Sequence, residues 1–400
     1  MRHLIEIGNG SRPVPTTPAR RHHFVPSFSL ARFAKPRKRD GTLAQLDTAN
    51  GQPGKTTPDE SAYVEELYSQ DTEDGPDRTL EAFLAVVENY AAPAIGRLLE
   101  RPLDLTPKDR QTISYYLAFQ YQRTPVVIEH TMATAQVTME MLLSVHFADK
   151  LAFRSEYREK FDSSASDEEI EALREKTRNA LRDGEVAFPD PKVRALQLLL
   201  GSTDHVAEAI YNLQWVVLRT TGDPFVTSDR AIAMHDSTPK FSWSGHALQS
   251  SPSAETSFPL DPQFTLLLHR GPTSVTTADV DSDAVCELNL RTYGWATRLI
   301  FGESQATVQR VRRQAKRRPS LVIEPRTPKP VLLEVADPDD PAVGAENASR
   351  GWPRGVGINS YDGSQRFAAY TVIDPEEKGA GAAAVLGDAA ACRVAKRTRT

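Results

Sequence analysis

The middle of the chain carries apolar residues at helical spacing. Leu80, Leu84 and Val87 recur every three or four positions, which is typical of a helix that buries one face. The string Thr106-Pro107-Lys108-Asp109 combines a capping hydroxyl, a proline at the first helical position and an acid in the first turn, and it predicts a helix start. Further helices are predicted over residues 125–145, from 167 onward after a capping box at 166–169, and over 191–200 and 202–212.

The pattern changes at Trp215. Residues 215–218 form a continuous apolar run that is typical of a buried strand, and 225–227 follow as a second strand after a Gly-Asp-Pro turn. Alternation also predicts a short strand at 41–47. The remaining elements predicted by the pattern are strands at 231–234, 264–269, 275–277 and 299–301, a helix at 282–297 and a basic helix at 304–318.

These elements predict an α+β fold, with a helical middle segment and a β-rich C-terminal half in a single main domain. We place that domain at residues 20–325. Residues 1–20 are rich in Pro and Thr-Pro steps and are expected to be a flexible N-terminus. Residues 326–400 are rich in Pro, Ala and Gly and are expected to be a low-complexity, partly disordered tail.

Composition excludes several classes of protein. The formal net charge of -5 over 400 residues argues against coating nucleic acid by bulk charge. The two cysteines, Cys286 and Cys392, are too few and too far apart for a cysteine zinc site. No apolar run approaches the ~20 residues that a membrane span needs, and no secretory h-region opens the chain, so we expect a cytoplasmic location without a membrane partner.

The histidine pair His22-His23 is the first candidate for chemistry. Imidazoles titrate near neutral pH and bind metals, but neighbours on a strand point to opposite faces, so one of the two is expected to enter a given site. The alternative is one structural imidazole and one at the surface. An HNH nuclease motif is a weaker hypothesis, because a later asparagine and histidine are missing at usable spacing.

Two further candidates stand far along the chain from the histidines. Asp229 ends the strand string Phe225-Val226-Thr227-Ser228-Asp229, where a carboxylate is able to ligate a divalent cation or to cap the next segment. Arg123 lies between two helices, where it suits either an anion grip or an ion pair with a buried acid such as Glu66 or Glu88.

Two weaker patterns point towards nucleic acid. Arg123 and His130 match an Arg-x6-His spacing of helical ribonucleases, although random matches are frequent. The basic helix 304–318 offers a positive face for a phosphate backbone, or is a solvated surface helix. Its cationic residues are Arg310, Arg312, Arg313, Lys316, Arg317 and Arg318.

Several blocks together resemble domain-of-unknown-function family 4238, a bacterial group. The matching strings occur in family order over about residues 20–302. They are His22-His23-Phe24-Val25-Pro26, Glu66-Leu67-Tyr68, Glu88, Gln120-Tyr121-Gln122-Arg123-Thr124-Pro125, Phe225-Val226-Thr227-Ser228-Asp229, Phe258-Pro259-Leu260-Asp261-Pro262, Leu288-Asn289-Leu290 and Ala296-Thr297-Arg298-Leu299-Ile300. The chain departs from the family at Arg230-Ala231, where members have a small polar residue and a proline. The resemblance implies an architecture and motif positions, without a mechanism.

The functional hypothesis is a metal-assisted phosphodiester hydrolase, nuclease-like, with a pocket of His22, His23, Asp229 and Arg123. In it a histidine is base or ligand, His23 and Asp229 hold a divalent metal, and Arg123 clamps an anion. The expected partner is nucleic acid or a small anion. The alternative is a non-catalytic binding or interaction protein whose polar motifs form a buried structural network.

Overall fold

The fold was analysed in a computed structural model. It describes residues 20–73, 75–148, 150–182, 185, 190–236, 253–319, 332–336, 356–361 and 366–371. The chain divides into two compact units, one of residues 1–131 with 192–328 and the other of 132–191 with 329–400. The predicted α+β class is confirmed, with helices in the middle of the chain and a β-rich C-terminal half. The predicted domain boundaries at residues 20 and 325 stay predictions, and residues 1–19 lie outside the described part.

The elements follow one another along the chain without repeats. The helices are α1 Ser27–Ala31, α2 Thr79–Glu100, α3 Pro107–Gln122, α4 Pro125–Ala148, α5 Lys150–Lys160, α6 Asp167–Arg182, α7 Pro191–Asn212, α8 Ser282–Trp295 and α9 Gln305–Arg317. The strands are β1 Arg21–His23, β2 Leu43–Asp47, β3 Pro53–Thr56, β4 Tyr63–Glu65, β5 Gln70–Thr72, β6 Gly75–Asp77, β7 Gln214–Arg219, β8 Thr227–Ser228, β9 Ala233–Asp236, β10 Ala254–Pro259, β11 Phe264–His269, β12 Val275–Asp279, β13 Leu299–Gly302, β14 Leu332–Ala336, β15 Val356–Tyr361 and β16 Arg366–Thr371.

A five-stranded sheet of order β12-β7-β11-β10-β9 forms the centre of the first unit. Its pairs are antiparallel except β12 with β7, which is parallel. Leu218 on β7 packs in one cluster with Val285 and Leu288 of α8. Trp215 bonds through Nε1 to the carbonyl of Ile210 at the end of α7 (3.0 Å). The sheet therefore has helices on both faces, which explains why its strands read as apolar runs.

A four-stranded sheet of order β3-β2-β13-β8 joins the beginning of the unit to its end. Leu46 of β2 lies opposite Ile300 of β13, far along the chain, and both are fully buried. They share one apolar cluster with Val226 and with two residues of α9, Val308 and Val311. The sheet brings the connection before β13 next to the end of β8, which matters for Asp229.

Helices α2 and α3 pack antiparallel against each other. Arg97 near the end of α2 forms an ion pair with Asp109 at the start of α3 (Nη2–Oδ1 2.6 Å). At the other end of the pair, the rings of Phe83 and Phe119 lie 5.6 Å apart. Asp109 also donates its backbone N–H to Thr106 Oγ1 (3.1 Å), which is the predicted cap. The start of α2 and the end of α3 therefore lie side by side.

One helix differs from its prediction. The pattern predicts two helices at 191–200 and 202–212, and the structure has the single helix α7. The hydroxyls of Ser202 and Thr203 both donate to the carbonyl of Leu199 (3.0 Å each). Hydroxyls that bond back along a helix satisfy themselves without ending it, so the chain continues through Gly201.

The second unit contains most of α4, with α5, α6 and a three-stranded antiparallel sheet β14-β15-β16. The capping box at α6 is present, because Ser166 Oγ accepts the N–H of Glu169 (3.3 Å) while Glu169 Oε2 accepts the N–H of Ser166 (2.9 Å). The three strands fall within residues 326–400, which the sequence analysis describes as a tail. Across both units, none of the described helices has the length and apolar character that crossing a membrane requires.

Candidate functional site

Strand β1 separates the two histidines. It pairs antiparallel with β4, so that His22 lies opposite Val64 and His23 opposite Tyr63. His22 is fully buried, whereas His23 is only partly buried. This follows from the strand geometry, in which successive side chains point to opposite faces. His23 is therefore the imidazole nearer to solvent.

His22 holds the segment 66–68 in place. Its Nδ1 accepts the backbone N–H of Tyr68 (3.0 Å), and its ring stacks on the Tyr68 ring with centroids 5.4 Å apart. Its Nε2 lies 3.9 Å from Glu66 Oε2. Hydrogen bonds from Arg78 and Ser69 lower the pKa of Glu66 to about 2, so that carboxylate is charged. These contacts give His22 a structural role.

Tyr68 connects this segment to Arg123. The hydroxyl of Tyr68 donates to the Arg123 carbonyl at the end of α3 (2.9 Å), and the Tyr68 side chain is 1% exposed. The Arg123 guanidinium in turn donates through Nε to the carbonyl of Phe24 (3.2 Å) and through Nη1 to Glu88 Oε1 (2.7 Å). Arg123 thus pairs with Glu88, one of the two acids expected for it, and joins the N-terminal segment to α2 and α3.

Polar atoms at the end of α3 are left over by this network. Gln120 donates to the same Phe24 carbonyl as Arg123 (2.7 Å). Within the described part of the chain, three buried atoms here have no hydrogen-bond partner: Gln120 Oε1, Arg123 Nη2 and Thr124 Oγ1. Arg123 is 5% exposed, and a buried guanidinium with an unused donor is costly unless a ligand or water completes it.

His23 faces the charged residues of this network. Its Nε2 lies 3.2 Å from the carbonyl oxygen of Asp59. Because a carbonyl only accepts, Nε2 carries the hydrogen and Nδ1 is the proton-accepting nitrogen of the neutral ring. Burial lowers the pKa of His23, against Glu88 and Asp59, which raise it, and together with Arg123, which lowers it. His23 is therefore a neutral base at pH 7.

Glu81 is a site residue that the sequence analysis missed. It lies on α2 seven positions before Glu88, which is about two helical turns and the same face. The pKa of Glu81 is raised to about 7, by burial first and then by the charge of Glu88, against the lowering effect of Arg123. The i, i+7 spacing of the two acids beside buried Leu84 and Val87 is the signal that would have revealed it.

Asp229 uses both carboxylate oxygens within the fold. Oδ1 accepts the backbone N–H of Thr297 (2.8 Å), and Oδ2 accepts those of Arg298 (2.8 Å) and Leu299 (2.9 Å). Burial raises the pKa of Asp229 to about 6, against these three amides, which lower it. The carboxylate ties the end of β8 to the connection between α8 and β13.

The predicted pocket is thus brought together in part. His22, His23 and Arg123 belong to one set of contacts, while the described contacts of Asp229 include neither histidine nor Arg123. Among the described residues, no three His, Cys, Asp or Glu side chains are placed to hold one metal ion. The metal role predicted for His23 and Asp229 stays a prediction, and this donor set does not carry it.

The basic helix 304–318 is α9, and part of its positive face serves the fold. Arg310 forms an ion pair with Asp223, and Arg312 donates to the carbonyl of Gly51 (3.0 Å). The helix buries Val308 and Val311 on its other face, so it is an ordinary amphipathic surface helix with a cationic end.

Comparison with known proteins identifies a family. Residues 21–306 match the family described as protein of unknown function (DUF4238). The chain belongs to the DUF4238 family. The matched region begins at β1 and ends at the start of α9, so it includes His22, His23, Glu81, Arg123 and Asp229. No curated protein and no solved structure matches the chain. The DUF4238 match confirms the family that the ordered motifs indicate.

Proposed function

We propose that this DUF4238 protein is a phosphodiester hydrolase whose proton transfers are made by His23 and Glu81. One observation supports it: the pKa of His23 is lowered while that of Glu81 is raised to about 7, and both groups are influenced by Glu88 and Arg123. A neutral imidazole is able to accept a proton at the pH at which a raised carboxyl is still able to donate one. Perturbed acid and base groups beside a buried guanidinium are typical of active sites.

The reaction follows from these roles. His23 Nδ1 removes a proton from water as the water oxygen forms a bond to phosphorus. Glu81 gives its proton to the leaving oxygen as the P–O bond breaks, so that no free alkoxide is released. Arg123, already held by Glu88, directs Nη2 at a phosphate oxygen and offsets the developing charge. No step is routed through a metal ion, because the described residues provide no three-ligand set.

The test is hydrolysis of bis(p-nitrophenyl) phosphate and of single- and double-stranded oligonucleotides by the full chain, with and without EDTA. Glu81→Gln and His23→Asn are expected to lower kcat by about 10²- to 10⁴-fold. Glu100→Gln, at the exposed end of the same helix, and His269→Asn, at the end of β11, are the matched controls. Hydrolysis that survives in both site variants contradicts the proposal. Loss on EDTA treatment would restore the metal-assisted hypothesis.

A second function is favoured by a different observation. His22, Arg123 and Asp229 each bond to backbone groups of a distant segment, as in a structural network. In that case the protein is a non-catalytic binding or interaction protein for a small anion or nucleic acid. No hydrolysis of any substrate, together with a lowered melting temperature in the His22, Arg123 and Asp229 variants, would support it.

We also propose a bacterial cytoplasmic location for the protein. The family resemblance and the small number of cysteines support it. Fractionation of the native host with an antibody against the chain tests it, and recovery outside the cytoplasm would contradict it.

A further inference from the structure

Arg32 is a second guanidinium near the proposed site, and it lacks an ion-pair partner among the described residues. It follows α1 and is only partly exposed, and its hydrogen bond goes to the Ala92 carbonyl on α2 (Nη2–O 3.2 Å). In the described part of the chain no carboxylate lies within 4.0 Å of it. Buried charges in proteins are normally paired, so the remaining donors of Arg32 need an explanation.

The acid that acts on Arg32 is already occupied. Asp261 favours the charged form of Arg32 electrostatically. However, its carboxylate bonds to Arg37 (3.3 Å) and accepts the backbone N–H groups of Gln263 (2.7 Å) and Phe264 (2.9 Å). Asp261 therefore steadies the positive charge of Arg32 from a distance without using its donors.

Tyr116 lies between Arg32 and the proposed catalytic residues. Its hydroxyl and Ser29 Oγ are 2.7 Å apart. The charged groups that act on Tyr116 include Arg123, Glu88 and Arg32. On α2, the residues that the two guanidiniums contact are Glu88 and Ala92, four positions apart, which is about 6 Å of helix rise. Arg123 Nη2, which belongs to a residue 5% exposed and has no partner in the described part, lies on the same side.

We infer that Arg32, Ser29 and the unpartnered Nη2 of Arg123 form a subsite for an oxyanion, namely a phosphate group of the substrate. The inference rests on the proposed function for the identity of that substrate. Guanidinium forks and hydroxyls are the donors that bind phosphate oxygens in proteins, and a partly dry site strengthens each bond. The subsite lies about one helical turn along α2 from the Glu88–Arg123 pair, so it holds a phosphate beside the group that is cleaved.

The test is calorimetric titration of the full chain with inorganic phosphate, and with acetate as the carboxylate probe. Arg32→Gln is expected to weaken phosphate binding by about ten- to a hundredfold, because it removes charge-assisted hydrogen bonds. Arg37→Gln is the matched control, since Arg37 is close by, more exposed and paired with Asp261. We expect phosphate binding of this control to stay within about twofold of that of the unmodified chain.

Several outcomes would overturn the inference. They are no phosphate binding by the unmodified chain, unchanged binding by Arg32→Gln, and equal losses in Arg32→Gln and Arg37→Gln. Acetate binding as tight as phosphate binding would overturn the assignment to phosphate. If Arg32→Gln does not fold, as judged by circular dichroism, Ser29→Ala replaces it and is expected to weaken binding severalfold, with unchanged binding again overturning the subsite.

The same titration separates this inference from the proposed function. Glu81→Gln is expected to keep phosphate binding while losing hydrolysis. Arg32-dependent phosphate binding without any hydrolysis means that the subsite exists and the proposed reaction is wrong. Hydrolysis with Arg32-independent phosphate binding means the reverse.

Discussion

Replacement of Asp229 by asparagine decides whether this carboxylate serves the fold or the reaction. In the structure its oxygens accept three backbone N–H groups, from Thr297 (2.8 Å), Arg298 (2.8 Å) and Leu299 (2.9 Å). The asparagine amide has one accepting oxygen, which is able to replace Oδ2 for Arg298 and Leu299. The amide NH₂ then faces the N–H of Thr297, so two donors meet and one buried N–H loses its acceptor. We therefore expect Asp229→Asn to destabilise the protein.

The magnitude follows from these three bonds. An unsatisfied buried N–H costs about 1–3 kcal/mol, and two bonds that lose charge assistance weaken by about 1 kcal/mol each. Against this, the neutral side chain avoids the burial penalty that raises the pKa of Asp229. The net expectation is a loss of about 2–4 kcal/mol in the free energy of unfolding. For a domain of this size that corresponds to a fall of roughly 5–12 °C in Tm.

The assay is thermal and urea unfolding followed by circular dichroism at about pH 8, where Asp229 is ionised. Asp104→Asn, an exposed acid after α2, is the control and is expected to change the free energy of unfolding by less than about 0.5 kcal/mol. An unchanged Tm in Asp229→Asn would refute the reasoning from the three hydrogen bonds. An unchanged Tm with lost hydrolysis would instead place Asp229 in the reaction, as the sequence hypothesis has it.

Three further predictions concern the site. The pH profile of kcat/KM is expected to be bell-shaped: activity rises as His23 loses its proton below pH 6.5 and falls as Glu81 loses its proton near pH 7, and a profile without the alkaline limb would contradict the role of Glu81. Because the folded pKa of Glu81 lies above its ordinary value of 4.5, the folded state binds more protons between pH 4.5 and 7, so stability falls as pH rises through this window; urea unfolding at several pH values is expected to show a loss of up to about 3 kcal/mol that Glu81→Gln removes. Tyr68→Phe leaves the Arg123 carbonyl without its buried donor and is expected to cost about 1–3 kcal/mol in urea unfolding, whereas Tyr115→Phe, whose hydroxyl bonds to Asp204 at an exposed position, is expected to cost less; equal effects would count against the network.

Local signals predict those parts of the fold that local physics decides. The cap at Thr106, the capping box at Ser166 and the buried run at 215–218 are each correct, because one turn of chain or one strand contains the whole cause. Strand β10 has no such signal, since Ala254–Pro259 alternates weakly and becomes a strand by pairing with β9 and β11 on both sides. Its formation depends on tertiary pairing that a single window cannot contain.

The same distinction applies to the candidate site. The alternation rule correctly assigns one histidine to the core and one to the more accessible face. For Asp229, the sequence leaves a metal ligand and a capping acid equally open, because its three amide donors come from residues 68–70 positions away. Glu81 was missed for a related reason: its pKa depends on burial and on Arg123, neither of which the surrounding residues reveal.

The adjacency of His22 and His23 has a physical consequence for the proposed reaction. A base must hold its geometry to within a fraction of an ångström, yet it must also face substrate, and one side chain on a loop rarely satisfies both needs. Here His22, bonded to Tyr68 and fully buried, fixes the backbone of β1 from one side. His23, one residue later, inherits that position on the other side. Tyr68 extends the same support to Arg123, so a single buried network positions the base and the guanidinium together. A change at His22 is therefore expected to act on catalysis through the position of His23, and not through a proton of its own.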